Sequence, residues 1–289
     1  MIKKGIILAG GHGTRMSPLT KAVNKQLLPI YDKPLIYYPL SVLMLAGIKN
    51  ILIIVNKGQL EQFKKLIPSG KNLGIKIDFE EQLHPGGLPE AFIIGEKFIK
   101  KDNVALILGD NFFYGQSLGL KLKEGTKLKS GAKVFLHKVS KPELYGVAKI
   151  NKNKKIIKIV EKPKKFVSDY AITGLYFFDN KVIKLAKTLK PSKRGEIEII
   201  DLLNKYKNEK KLKADFIGRG GAWLDTGSIK DFYNTSTFVS TIENRQGMKI
   251  ACLEEIAFDN KWIKRKEIQN SIKFYGNCDY SNYLKKIIS

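Results

Sequence analysis

Gly10, Gly11 and Gly13 follow the apolar run Lys4–Ala9 and lead into Thr14 and Arg15. Glycines directly after a strand let backbone N–H groups approach anionic oxygens, and a nest of such groups holds phosphate. Arg15 adds a permanent positive charge with five donors. A plain tight turn explains the same glycines. The loop is not a P-loop, because no Gly-Lys-Ser/Thr closes it, and it lacks the G-x-G-x-x-G spacing of a dinucleotide fold. Lys25 and Gln26 come next, an ammonium that could neutralise phosphate and an amide that could bond a base or a sugar. Taken alone, a solvated Lys-Gln pair is the plainer account of them.

The elements that must position these residues alternate in type. Lys4–Ala9, Asn50–Val55, Ile75–Phe79 and Val104–Leu108 read as buried strands, and Leu35–Ala46, Gln59–Leu66 and Pro89–Phe98 as helices between them. Such alternation predicts βαβ units and a parallel sheet. Beyond about residue 130 the strand-like segments crowd together: Lys133–Val139, Gly146–Ile150, Ile156–Val160 and Ile172–Phe178. They predict antiparallel strands added to the sheet. Lys181–Leu189, Ile197–Lys207 and Ser228–Glu243 read as helices, Lys213–Ile217 and Ala222–Leu224 as strands, and the end of the chain as short helices. The expected fold is α/β, a Rossmann-like, mostly parallel mixed sheet flanked by helices. A single domain covers 1–289, with a core to about 240 and a C-terminal helical elaboration over about 241–289. Ligands of such sheets bind at the carboxyl ends of the strands. Three polar clusters fall there: the loop after Ala9, Glu80-Glu81-Gln82 and Gly109-Asp110-Asn111.

Composition narrows the classes. No apolar run reaches the ~18 residues of a membrane span. The apolar start is short and runs into glycines, unlike a signal peptide, so a cytoplasmic protein is expected. Cys252 and Cys278 sit in no C-x-x-C pair, and His12, His84 and His137 are scattered without zinc spacing. The net charge of +25 raises nucleic-acid binding. Only five of the basic residues are arginine, and the lysines are spread along the chain. A solvated lysine surface, with no nucleic-acid partner, accounts for this better.

The stretches Gly10-Gly11-His12-Gly13-Thr14-Arg15 and Lys25-Gln26-Leu27-Leu28-Pro29 through Tyr37-Tyr38-Pro39-Leu40 resemble the sugar-1-phosphate nucleotidylyltransferase family. The likeness continues through Leu108-Gly109-Asp110-Asn111, Tyr145-Gly146-Val147, Val160-Glu161-Lys162-Pro163, Thr173-Gly174-Leu175-Tyr176, Arg194-Gly195-Glu196-Ile197-Glu198 and Gly220-Gly221-Ala222-Trp223-Leu224-Asp225-Thr226-Gly227. It reaches Glu243-Asn244-Arg245-Gln246-Gly247 and Glu254-Glu255-Ile256-Ala257, and so spans almost the whole chain in order. Lys25 to Leu40 is most similar to the thymidylyl branch.

This resemblance implies a reaction between dTTP and α-D-glucose 1-phosphate that gives dTDP-glucose and pyrophosphate, the first step toward dTDP-rhamnose-type sugars. Arg15, Lys25 and Lys162 would be catalytic. Leu8, Gly10, Gly11, Gly13, Thr14, Arg15, Lys25, Gln26, Gln82, Gly87 and Asp110 would surround the nucleotide. Asn111, Tyr145, Gly146, Glu161, Lys162, Thr173 and Arg194 would surround the sugar phosphate. The family further implies a homotetramer with a second, regulatory nucleotide site, for which Leu45, Tyr114, Gly115, Arg219, Lys249 and Glu254 are candidates, plain packing being the alternative.

Asp110 and Asp225 each follow an apolar strand-like segment. If those strands end at one pocket, two carboxylates and a triphosphate repel unless a cation bridges them, and Mg²⁺ is the natural bridge. Taken alone, Asp225 is better read as part of a helix N-cap region, since Thr226-Gly227-Ser228 precede a helix; the resemblance favours the metal. One stretch departs from the family: in His84-Pro85-Gly86-Gly87-Leu88-Pro89-Glu90-Ala91, Gly86 and Pro89 are unusual. That bears on base choice rather than reaction type, and uridylyl or cytidylyl transfer is the rival within the class. A homologue without activity is disfavoured by the joint presence of Arg15, Lys25, Asp110, Lys162 and Asp225.

Overall fold

A computed structural model describes residues 1–289 except His12, Pro68, Lys193 and Arg194. The chain begins with β1 (Lys4–Ala9), then makes tight turns at Thr14–Met16 and Lys25–Leu27 and a short hairpin of β2 (Pro29–Ile30) and β3 (Lys33–Pro34). There follow α1 (Tyr37–Leu45), β4 (Asn50–Asn56), α2 (Leu60–Leu66), β5 (Lys76–Gln82), α3 (Glu90–Ile94), α4 (Glu96–Ile99), β6 (Val104–Leu108), β7 (Asn111–Gly115) and α5 (Leu118–Thr126). The second half contains β8 (Ala132–Lys138), β9 (Gly146–Ile150), β10 (Ile156–Glu161), β11 (Tyr170–Phe178), α6 (Lys181–Lys187), α7 (Ile199–Asn208), β12 (Leu212–Phe216) and β13 (Gly221–Asp225). It closes with α8 (Ile229–Gln246), α9 (Leu253–Asp259), α10 (Arg265–Tyr275) and α11 (Asp279–Ile287).

Among the described residues nine strands form the main sheet, in the order β10-β9-β11-β6-β1-β4-β5, with β8 also on β11 and β12 on β8. β4 and β6 flank β1 in parallel, β5 continues beside β4, and β12 runs parallel to β8. β11 is antiparallel to β6, β8 and β9, and β10 to β9. Only β10 and β11 therefore oppose the common direction, and the mostly parallel mixed sheet expected from the sequence is present. Alternate residues of a strand face opposite sides. Ile7 and Ala9 accordingly join the core under α1, while Ile6 and Leu8 join the core under α3, α6 and α7. Both faces are covered, which explains the unbroken apolar runs. A third cluster, with Met16, Tyr38, Phe112, Phe232 and Val239, seats α8. The division expected near residue 240 falls inside that helix.

Several elements differ from the sequence reading. β5 runs on to Gln82, so Glu80 and Glu81 lie within the strand rather than beyond it. The helix read over Pro89–Phe98 is two short helices meeting at Gly95, where a Cβ would lie 2.9 Å from both Ile6 Cδ1 and the Ala91 carbonyl. β7 and α5 were not read from the sequence at all. β7 pairs with β13 in a two-stranded ribbon that places Asn111 opposite Asp225. Asp225 is thus the last residue of a strand, and the cap of α8 is Ser228, whose hydroxyl accepts from Asp231 N–H at 3.1 Å. The cap reading of Asp225 is set aside. No helix among the described residues is long and apolar enough to cross a membrane.

Candidate active site

β1 and β6 are neighbours with Leu8 opposite Leu108, so the glycine loop and Gly109-Asp110 leave the sheet side by side. The Gly109 N–H donates to the Leu8 carbonyl at 2.9 Å. A side chain at Gly109 would meet that carbonyl at 2.9 Å and Gln26 Cγ at 3.0 Å, so only glycine lets these three segments converge. The Asn24 amide donates to the Ala9 carbonyl at 3.1 Å and fastens the following turn. From that turn Lys25 reaches Asp110, with Nζ 2.5 Å from Oδ2. Gln26 is buried, and its Oε1 has no partner among the described residues.

The glycine loop itself is partly engaged. Gly11 N–H donates to Asn56 Oδ1 at 2.8 Å, and the Asn56 amide returns a bond to the Gly11 carbonyl. The Thr20 hydroxyl holds the Gly13 carbonyl at 2.8 Å. Thr14 and Arg15 are exposed. Gly10 packs beside Gln82, whose Oε1 would stand 2.5 Å from any Cβ there. Gly87 has a left-handed φ of 100°, and a Cβ on it would fall 2.1 Å from the Ile197 carbonyl.

Asp225 and Asp110 meet at the end of the β7–β13 ribbon. Thr226 clamps the join, its N–H and hydroxyl both donating to the Asp110 carbonyl at 3.0 and 2.8 Å. Burial pushes Asp225 up to about 6, helped by repulsion from Asp110 and opposed by Lys25 and Arg15. Burial also pushes Asp110 upward, but the Lys25 ammonium and the Asn111 amide outweigh it and hold its carboxyl below the usual range. Arg15 borders the pair: a Cβ on Gly227 would lie 2.5 Å from Arg15 Nη2 and 3.1 Å from Asp225 Oδ1. Among the described residues no group of three or more His, Cys, Asp or Glu is placed to hold a metal.

A cleft of about 360 Å³ opens from the carboxylates. Arg15, Asp110, Asn111, Tyr145, Gly146, Glu161, Lys162 and Asp225 are among the residues that line it. Gly146 opposes Glu161 across β9 and β10, and a Cβ there would sit 2.9 Å from Glu161 Oε2. Lys162 follows β10 with φ 41°, a left-handed conformation that non-glycine residues adopt at a cost, and its N–H donates to the Tyr145 carbonyl at 3.0 Å. Asn111 is largely committed to the protein: Oδ1 accepts from Gly174 N–H and Trp223 Nε1, and Nδ2 donates to Asp110, leaving one amide hydrogen. Thr173 lies behind the wall, buried, with Oγ1 unpartnered among the described residues. Arg194 lies outside the described residues. The cleft also takes in Tyr176, Glu196, Glu198 and Trp223, which sequence reasoning did not single out. All four stood inside the motif stretches as quoted, and that was their only signal.

The regulatory candidates lie on several elements, and the Tyr114 hydroxyl lies 3.4 Å from Gln246 Oε1 at the end of α8. Tyr114 and Gly115 rim a second cleft with Gly218 and Gly220, beside exposed Arg219. Lys249 pairs with Asp32 and Glu243, and its ammonium lies 5.8 Å from the centre of the Tyr280 ring. Tyr280 in turn donates to buried Glu254 at 2.7 Å, while Leu45 ends α1.

Residues 4–242 match the nucleotidyl transferase family. A glucose-1-phosphate thymidylyltransferase of Neisseria meningitidis is 49% identical over 285 residues, 99% of each chain. A Bacillus anthracis chain solved in complex with sucrose superposes with a TM-score of 0.76 at 40% identity, over 81% of this chain and 94% of that one. A UDP-glucose pyrophosphorylase solved with UDP-glucose gives 0.73 at 27% identity, over 84% and 100%. With the glycine loop, the paired aspartates and the cleft arranged as described, the chain is a nucleotidyltransferase and belongs to the nucleotidyl transferase family.

Proposed function

We propose that this enzyme transfers a thymidylyl group from dTTP to α-D-glucose 1-phosphate, giving dTDP-glucose and pyrophosphate. The observation that carries this reading is the convergence of Arg15, Asp110 and Asp225, with Lys25 paired to Asp110, in a cleft that also holds Glu161 and Lys162, in a chain so similar to a thymidylyltransferase. A phosphate oxygen of the sugar phosphate attacks the α-phosphorus in line. The new P–O bond forms as the bond to the bridging oxygen breaks, and pyrophosphate leaves with the electron pair. Both reactants are anions, so the protein's work is positioning and charge neutralisation. No protein nucleophile is needed.

In this reading Lys162 binds the phosphate of the sugar, with Arg194 assisting. Asn111, through its remaining amide hydrogen, and Glu161 bond sugar hydroxyls, while Tyr145, Gly146 and Thr173 shape the pocket. Arg15 and the loop of Leu8, Gly10, Gly11, Gly13 and Thr14 hold the triphosphate, and Lys25 faces phosphate oxygens from its seat on Asp110. Gln26, Gln82 and Gly87 flank the nucleoside. Asp110 and Asp225 offer the hard oxygen donors that Mg²⁺ prefers, and the repulsion that raises Asp225 is the kind a divalent cation relieves. Bound there, the ion would neutralise charge on the phosphate oxygens.

The wider reading comprises one domain, a cytoplasmic homotetramer, and entry into dTDP-rhamnose-type synthesis. A second nucleotide site assembled from Leu45, Tyr114, Gly115, Arg219, Lys249 and Glu254 would complete it by end-product inhibition. Use of UTP is a second reading, because thymine and uracil differ by one methyl, worth ~1–3 kcal/mol in a pocket, and a UDP-glucose enzyme shares the fold. Mass spectrometry of the product formed from dTTP, glucose 1-phosphate and Mg²⁺ tests the proposal. dTDP-glucose is expected, and its absence while another triphosphate reacts would refute the thymidylyl assignment.

A further inference from the structure

Glu90, the first residue of α3, holds two groups at once. Its Oε2 accepts from Gln82 Nε2 at 2.5 Å and from Gly86 N–H at 3.0 Å. A carboxylate oxygen of this kind accepts hydrogen bonds, so the nitrogen of the Gln82 amide must be the end turned toward it. The carbonyl end is then turned the other way, and it lies beside Gly10 at the glycine loop. Gln82 is buried at the end of β5, its backbone carbonyl held by Lys57 N–H at 3.1 Å.

Gly86, one of the two unusual residues of this loop, belongs to the same device. A Cβ there would fall 2.5–2.9 Å from the three carboxyl atoms of Glu90. The carboxylate thus occupies the space a side chain would take. The Gly86 carbonyl then accepts from Ile197 N–H at 2.9 Å, tying the loop to the wall of the cleft.

We propose that Glu90 is the positioning residue that fixes which bases this enzyme accepts, by presenting Gln82 to the nucleotide as a hydrogen-bond acceptor. This rests on the reading that Gln82 faces the base. An acceptor pairs with the N3–H of thymine or uracil. It meets only the N3 lone pair of cytosine and repels it. A reversed Gln82 amide would do the opposite, donating to cytosine N3, and among the described residues the hydrogen bond to Glu90 is what stands against reversal. Selection between imide bases and cytosine is therefore set by a residue that need not touch the nucleotide.

The test compares kcat/KM for dTTP and for dCTP, at saturating glucose 1-phosphate, in the wild type and in the Glu90→Ala, Glu90→Gln and Gln82→Ala enzymes. Glu90→Ala should lower the dTTP-to-dCTP ratio by about tenfold or more, with KM for glucose 1-phosphate unchanged. Glu90→Gln keeps an oxygen that can accept from Gln82 and should restore most of the ratio. If Glu90→Ala slows both nucleotides in equal proportion, Glu90 is merely structural and the proposal is overturned. Gln82→Ala separates the two levels. An unchanged ratio there removes Gln82 from the base and the proposal with it. A lowered ratio there, with none in Glu90→Ala, leaves Gln82 in place and overturns the role of Glu90 alone. Should Glu90→Ala fail to fold, Gly86→Ala displaces the same carboxylate and must lower the same ratio.

Discussion

Lys25 and Asp110, eighty-five positions apart, form an ion pair with 2.5 Å between Nζ and Oδ2 at the foot of the cleft. The pair divides two neighbouring carboxylates into unequal partners, one held ionised by an ammonium and one raised to about 6. Replacing Lys25 with Met keeps the length and removes the charge. Turnover should fall by roughly 10²–10³-fold, as when a preorganised electrostatic contact is lost. Steady-state kinetics at saturating substrates and Mg²⁺ decide it, and a rate within a few-fold of wild type would remove Lys25 from the catalytic set.

Asp225→Asn separates stability from activity. The folded carboxyl titrates near 6 against an ordinary value of 3.8, so the folded state binds a proton more tightly than the unfolded state. Ionised Asp225 therefore costs stability above pH 6, and that cost fades as pH falls from 6 toward 4. In EDTA at pH 8 the Asn variant should be more stable than wild type by roughly 1–3 kcal/mol, and the two should converge near pH 4. Urea unfolding across pH measures this. A variant less stable at every pH would contradict the electrostatic account. Turnover should nevertheless drop sharply in Asp225→Asn and in Asp110→Asn, with partial recovery at high Mg²⁺. If both residues act through one ion, as proposed, the two losses should not add.

Two glycines with similar backbone angles should respond differently to alanine. Gly11 and Gly87 have φ values of 94° and 100°, but among the described residues a Cβ meets nothing within 4 Å at Gly11 and the Ile197 carbonyl at 2.1 Å at Gly87. Gly11→Ala should cost about 1 kcal/mol, the backbone strain alone. Gly87→Ala should cost more, roughly 2–4 kcal/mol, and raise KM for the nucleotide as the loop leaves Ile197. Equal losses in chemical denaturation would show that the close approach at Gly87 adds nothing to the backbone strain.

Lys162→Ala should chiefly raise KM for glucose 1-phosphate, with a far smaller change for dTTP. Initial-rate measurements varying each substrate in turn separate the two. Normal turnover at low sugar phosphate would end that assignment.

How far the sequence disclosed this arrangement depended on how local each signal is. The run Lys4–Ala9 was legible because a strand covered on both faces is apolar throughout. β7 was not, because Asn111 directly follows Gly109-Asp110 and the stretch opens like a loop. α5 carries Gly119 and Gly125, which weaken any helical pattern. Gly125 is needed where it stands, since a Cβ would lie 2.8 Å from the Phe177 ring. The aspartates could be paired in advance only as a condition on two strands ending together. The ribbon that satisfies it joins residues more than a hundred positions apart, as does the Trp223–Asn111 bond of 2.6 Å. Gly86 stood out in the sequence as an anomaly with no cause. Its cause is the Glu90 carboxylate, four residues on in the chain but meeting Gly86 only through the fold of the loop.

The proposed reaction joins a thymidine triphosphate to a hexose 1-phosphate in this cleft. It is tested most directly by pyrophosphate release over a matrix of dTTP, UTP, CTP, ATP and GTP against α-D-glucose 1-phosphate and other sugar 1-phosphates, with Mg²⁺ present. The highest kcat/KM is expected for dTTP with α-D-glucose 1-phosphate, with UTP the next best triphosphate and CTP far below it. Release that is absent with dTTP, or fastest with CTP or a purine triphosphate, would contradict the account.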